Sequence, residues 1–273
     1  MSDATNDPNQ VQAEYWTNEG GPSWVRNERR YERMLQPFDD ALIGALHPRD
    51  GDRILEIGCG FGVTAIALAA NGATVHGVDI APPMIDRARE RAEGSAEQIT
   101  FAVADAQEVD LGGPYDTAVS RFGVMFFADP VRAFANIASS VRPDGNLAFV
   151  CWQSLDRNPW LGLPIEVLQS FTGAPSVPAS IAPGAPNPVA FADPVHTEEI
   201  LHRSGWTGIS FEPVEPLLVI GGDDGIEGAV QLALNGSSMK ALLQGDDGSL
   251  RARVVDALTE RLAEFVTDDT VLM

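Results

Sequence analysis

Lysine is almost missing from this chain: Lys240 stands alone among 18 basic residues, against 39 Asp and Glu. The net charge of -21 and the sequence pI near 4.3 repel a phosphate backbone, so nucleic acid is not an expected partner. Anionic membrane surfaces are disfavoured by the same field. There are only two cysteines, Cys59 and Cys151. Their separation provides neither a disulfide framework nor a metal-ligand spacing, which points to a reducing cytoplasm and to no bound metal. Long apolar runs are absent too, and the polar, acidic opening MSDATNDPNQ carries no basic or apolar signal region. The expectation is a cytoplasmic chain, neither exported nor membrane-spanning. What the sequence does hold is apolar residues, 44% of 273, enough for a sizeable core. A small, neutral or cationic molecule fits this charge better than any polyanion, and a homodimer is left open.

Along the chain, the first ten residues lack periodicity. Val11 to Pro37 then mixes Tyr15, Trp16, Trp24 and Tyr31 with a charged run and reads as a helical lead-in. From Arg53 the pattern alternates: strand to Ile57, glycine turn, helix from Val63, strand Val75 to Ile80, helix from Pro82, and strand Ile99 to Ala104. Strand Tyr115 to Ser120, helix Pro130 to Val141, a turn at Pro143 to Gly145 and strand Asn146 to Trp152 follow. This alternation predicts an α/β fold with a doubly wound, mostly parallel sheet. After Gln153 the rhythm stops. The proline-rich run Gly173 to Pro194 suggests a loop or lid. Beyond it come a helix from His196 to Ser204, a strand from Trp206 to Ile220, two cap helices over Gly225 to Leu243 and Ser249 to Phe265, and the opening of a further strand at Thr270. The division expected is 1–45 lead-in, 46–153 ligand-binding core, and 154–273 lid, sheet completion and cap helices of the same domain.

The informative motif is Glu56-Ile57-Gly58-Cys59-Gly60-Phe61-Gly62 between the first strand and its helix. Glycines there let the backbone turn tightly and approach a ligand, and the helix N-terminus offers unpaired N–H groups. A dinucleotide fingerprint, G-x-G-x-x-G/A, would place a small residue at Val63; here the pattern is G-x-G-x-G. Asp79 ends the second strand, where a carboxylate accepts from both ribose hydroxyls of an adenosine ligand. Ala104-Asp105-Ala106 follows the third strand, and Ser120 to Pro130 and Arg142 to Gly145 surround the fourth and fifth.

In this order the segments resemble the class I S-adenosylmethionine-dependent methyltransferases over about residues 50–152, in particular the small-molecule branch that includes the ubiquinone and menaquinone C-methyltransferases. The resemblance implies a Rossmann-like, seven-stranded sheet with a helical lead-in and a C-terminal helical cap or lid. It implies S-adenosyl-L-methionine as cofactor and methyl transfer to an O, N or C atom of a small, largely apolar acceptor. Its cofactor contacts would fall on Glu56, Gly58, Cys59, Gly60, Gly62, Asp79, Ile80, Asp105, Ala106 and Arg121, with Trp24 closing over the donor. In such a turn Cys59 is a filler rather than a nucleophile. Two other readings stand beside it: a nicotinamide-dependent oxidoreductase on a related fold, and a non-catalytic module that binds the same donor.

For the acceptor side, a base is needed for a hydroxyl or an acidic carbon and is dispensable for an unprotonated amine. Histidines number four. His196, at the end of the proline-rich run, is the candidate base, whereas His76 within the second strand reads as structural. Arg121, after the fourth strand at the rim where ligands bind in open α/β sheets, is the second candidate for the catalytic site. Tyr15, Trp16, Tyr31, Phe122, Met125, Phe126, Phe171 and Phe191 are the expected walls of the acceptor pocket. No acidic metal cluster is visible, so metal dependence is not expected.

Overall fold

Strands that are apolar on both faces need covering on both sides, and helices between them supply it. In the computed structural model, which describes residues 8–95, 98–173 and 185–273, β1 (Arg53–Ile57), β2 (Thr74–Asp79), β3 (Ile99–Val103), β4 (Tyr115–Arg121) and β5 (Val141–Val150) form one parallel sheet in the order β3-β2-β1-β4-β5. The order reverses between β1 and β4, so the carboxyl ends of these two strands open the crevice in which such sheets hold ligands. Ahead of the sheet come α1 (Pro8–Tyr15), a π-helical turn at Trp16–Gly20, α2 (Gly21–Arg26) and α3 (Glu28–Leu46). Between strands lie α4 (Val63–Ala70), α5 (Pro82–Arg91) and α6 (Pro130–Ser140). Proline opens α5 and α6, and the Asp129 side chain caps α6 by accepting from Arg132 N. Ile54, Ala65, Leu68, Val75, Ile85 and Val119 close the core around α4.

The chain divides into two compact units. The first comprises 1–26, 38–152 and 185–214; the second 27–37, 153–184 and 215–273. The first contains the parallel sheet and α8 (Pro194–Arg203), whose end is tied to α6 by Ser204 Oγ donating to Val131 O and Trp206 Nε1 to Phe134 O. The second contains α7 (Pro159–Thr172), β6 (Val219–Ile220), α9 (Gly225–Leu234), α10 (Ser237–Leu242), α11 (Ser249–Leu262), β7 (Val266–Thr267) and β8 (Thr270–Leu272). Within it Arg30 pairs with Asp224 at 2.8 Å, and Arg261 with Glu166 at 2.9 Å. None of the described helices is long and apolar enough to cross a membrane.

Several expectations are corrected here. The parallel sheet has five described strands rather than seven. The strand expected over Trp206 to Ile220 shrinks to Val219–Ile220, because Pro213 and Pro216 lack the N–H that a ladder needs. Residues 270–272 form the middle strand of a separate antiparallel sheet, β6-β8-β7, turned by Asp268 and Asp269, both at positive φ as a two-residue hairpin requires. The helix expected over Gly225 to Leu243 breaks into α9 and α10 at Asn235-Gly236. The Pro143-Asp144-Gly145 turn lies inside β5, as a bulge between the register pairs Tyr115–Val141 and Thr117–Asn146. Of the proline-rich run, 174–184 lie outside the described residues; 185–193 form bends and turns.

Candidate cofactor site at the carboxyl ends of the strands

The glycine turn is shaped by what surrounds it. Gly58 has φ +63, and a Cβ there would sit 2.7 Å from Gly123 Cα. Only glycine allows this approach of the β1 and β4 ends. Ser120 fastens them: its Oγ donates to Ile57 O at 2.8 Å and accepts from Gly123 N at 3.1 Å. Two residues on, Gly60 differs. A Cβ there would meet nothing within 4 Å, so the backbone faces open space at the point where α4 begins. Gly62, at φ +81, is the N-cap of α4 and lies against Phe101.

Asp79 Oδ2 accepts from Gly60 N at 2.8 Å and Oδ1 from Ala81 N at 2.9 Å. Burial raises its pKa above the usual carboxylate value, while the backbone N–H groups, of Ile80 among others, oppose that shift. With three backbone N–H groups on its two oxygens, the carboxylate keeps acceptor capacity for a further donor. Asp105, after β3, accepts from Gln107 N at 2.9 Å and from Asn9 Nδ2 at 2.8 Å. Asn9 Oδ1 in turn accepts from Ala128 N at 3.0 Å. The lead-in is thus fixed over the β3 and β4 ends by one buried amide, which sequence reasoning missed; an Asn in a polar, aperiodic terminus gave no signal.

Glu56, at the end of β1, is 2% exposed, and among the described residues its Oε2 has no hydrogen-bond partner. Desolvation pushes its pKa up to about 8, against the pull of Arg121. Arg121 is held through Nε, which lies 2.9 Å from Asp39 Oδ1 and 3.2 Å from Thr64 Oγ1. Its Nη1 is buried and likewise without a described partner. Asp39 had no sequence signal, being one of two adjacent acids in a charged helix.

Phe122 adopts φ +63, a strained conformation for a bulky residue. Its ring stacks on Trp152 with centroids 4.1 Å apart and meets the edge of Phe38 at 5.1 Å. Trp16 packs edge-on against Tyr15, Trp24 and Phe126, at 5.4, 6.1 and 5.4 Å. The pair Gly20-Gly21 closes the π-turn: a Cβ on Gly21 would sit 2.3 Å from Trp16 O. Met125 and Ala106 are buried. Phe191 lies in the core against Phe134 and Phe149, so packing rather than an open pocket wall accounts for it. Tyr31 and Phe171 belong to the second unit, Tyr31 buried and Phe171 under the Arg253 guanidinium at 5.2 Å. His196 is exposed on α8. His76 pairs with Thr100 Oγ1, is stacked parallel to Tyr115, and has its pKa lowered by burial. Burial pushes the Cys59 thiol well above its usual pKa, which keeps it protonated and unreactive.

Residues 54–145 match a family described as "Methyltransferase domain". The aklanonic acid methyltransferase of Streptomyces sp. (strain C5) is 34% identical over 128 residues, 44% of this chain and 58% of that protein. The 27-O-demethylrifamycin SV methyltransferase of Amycolatopsis mediterranei is 32% identical over 129 residues, 46% and 47% of the two chains. The chain spans about half the length of the curated relatives it matches. Among solved structures, the magnesium protoporphyrin IX methyltransferase of Synechocystis, with bound S-adenosylhomocysteine, superposes with a TM-score of 0.55 at 19% identity, over 77% of this chain and 95% of that one, and shares the fold. Over residues 54–145, then, this chain matches the methyltransferase domain family, and that segment is similar to small-molecule methyltransferases.

Proposed function

We propose that the protein transfers a methyl group from S-adenosyl-L-methionine to a small, largely apolar acceptor. The observation that carries this reading is the open backbone at Gly60, flanked by the carboxylates of Asp79 and Asp105 at the ends of successive strands. Both acids retain acceptor capacity, Asp79 for ribose hydroxyls and Asp105 for an adenine amino group. The unpartnered Glu56 Oε2 and Arg121 Nη1 fit the other end of the ligand, where an ammonium and a carboxylate need an acceptor and a donor. When bound, the donor supplies an activated sulfonium methyl for in-line displacement.

The chain's own work is alignment and exclusion of water. The edges and faces around Trp16, Trp24, Tyr15 and Phe126 offer a wall to a cationic centre, each contact worth about 0.5–2 kcal/mol. Phe122 and Met125 border the same rim. Arg121, committed to Asp39, serves the cofactor end rather than proton transfer; His196 is the candidate base where the acceptor carries a hydroxyl or an acidic carbon. The names of the two antibiotic-modifying relatives support a small organic acceptor.

Titration calorimetry with S-adenosylmethionine and with NADH, followed by labelled methyl transfer into a metabolite extract, tests the proposal. Binding of the sulfonium donor, label in a small product, and loss of both in a folded Gly60→Val variant are expected. Binding of NADH alone would overturn it.

A further inference from the structure

Two adjacent residues of α3 grip two adjacent residues at the end of β4. The Phe38 ring meets Phe122 at 5.1 Å and Trp152 at 5.2 Å, both edge-on. Asp39, 1% exposed, meets Arg121 at 2.9 Å. Thr64, in the first turn of α4, completes the second contact: its hydroxyl donates to Asp39 Oδ1 at 2.6 Å and accepts from Arg121 Nε at 3.2 Å. Asp39 and Thr64 are buried beside Glu56, the other carboxyl within reach of the field of the nearly buried guanidinium. A buried guanidinium strongly favours a carboxylate partner, and here two compete for one. Asp39 has taken the Nε edge, and Glu56 Oε2 and Arg121 Nη1 are each left without a described partner.

We propose that Asp39 is a positioning residue: by holding Arg121 through Nε, with Thr64 as the bridge, it keeps the guanidinium from pairing with Glu56 and so preserves a separated donor and acceptor for the amino-acid end of the methyl donor. This rests on the functional reading above. It assigns the lead-in's last helix a part in selecting ligands that carry an amino acid over those that carry only the nucleoside. Removing the Asp39 charge would let Arg121 turn to Glu56. The two groups would then satisfy each other, and the site would lose its hold on the ammonium and carboxylate while its nucleoside portion, built from Asp79 and Asp105, stays as it was.

The test compares two ligands that differ only at that end, S-adenosylhomocysteine and 5′-methylthioadenosine, binding to the full chain. In Asp39→Asn, which keeps the shape and the Thr64 contact, the Kd for S-adenosylhomocysteine is expected to rise about tenfold, equivalent to about 1.4 kcal/mol. The Kd for methylthioadenosine is expected to change less than twofold. Should Asp39→Asn fail to fold, Thr64→Val removes the bridging hydroxyl and is expected to give a several-fold loss confined to S-adenosylhomocysteine, restored by Thr64→Ser. Equal weakening of both ligands would make Asp39 merely structural and overturn the proposal, as would unchanged binding of both. Wild-type protein binding neither ligand would overturn the donor-site reading itself, and is distinguished by needing no variant.

Discussion

The ends of β2 and β3 and the ends of β1 and β4 hold their charged groups in different ways. Asp79 and Asp105 each accept from a backbone N–H of the turn that follows, Ala81 N and Gln107 N, and each has one more donor from elsewhere, Gly60 N of the neighbouring glycine turn and the Asn9 amide. Glu56 and Arg121 depend instead on Asp39 and Thr64, which come from two separate helices, and are left partly unsatisfied. A carboxylate surrounded by local amides is a fixed surface. An unsatisfied pair is a stored cost of about 1–3 kcal/mol per group, which a ligand's complementary charges relieve. On the proposed donor-site reading, the β2–β3 side would set where the nucleoside lies, and the β1–β4 side how tightly the rest is held.

The largest way to break this contrast is pH. The Glu56 pKa is raised from 4.5 to about 8 in the folded chain, so the protonated form is favoured by folding. The stability it contributes is fully present below about pH 4.5 and is lost as pH rises through about 8, an amount of about 5 kcal/mol. Denaturant unfolding across that window should show the wild type losing stability relative to Glu56→Gln; parallel curves would mean that the carboxyl is not buried as described.

A second test separates two glycines of one turn. Gly58→Ala is expected to cost about 2–4 kcal/mol, from positive φ and from a Cβ driven against Gly123. Gly60→Ala, with positive φ but open space, should cost only about 1–2 kcal/mol of stability. Thermal unfolding of the two variants checks the order, and a reversal would relocate the close approach.

On the β2–β3 side, Asp79→Ala should weaken donor binding by about 1–3 kcal/mol, because ribose hydroxyls lose a charged acceptor and Gly60 N loses its partner. Calorimetry showing an unchanged Kd would remove Asp79 from the site. The smallest effect is expected for Asn9→Ala, about 0.5–1.5 kcal/mol, since Asp105 keeps its bond from Gln107 N and loses only the amide of the lead-in. A larger loss, read in the same titration, would make the lead-in a principal holder of the ligand.

Local pattern determined much of this molecule. Alternating apolar runs with glycine and proline punctuation fixed the five parallel strands and the helices between them, because each such element is stabilised by its own periodicity and caps. The turn from Glu56 to Gly62 and the acids at 79 and 105 were legible for a related reason: their partners lie within a few residues or at the next strand end. What tertiary structure decided is whatever depends on residues far apart in sequence. Asp39 meets Arg121 only once α3 has docked, and Asn9 meets Asp105 across 96 positions. The strand expected at 206–220 was diverted by prolines, and residues 270–272 found β6 and β7 as partners rather than the parallel sheet. Strand pairing and buried charge pairing are settled by which chain segments arrive together, and no single stretch of sequence carries that information.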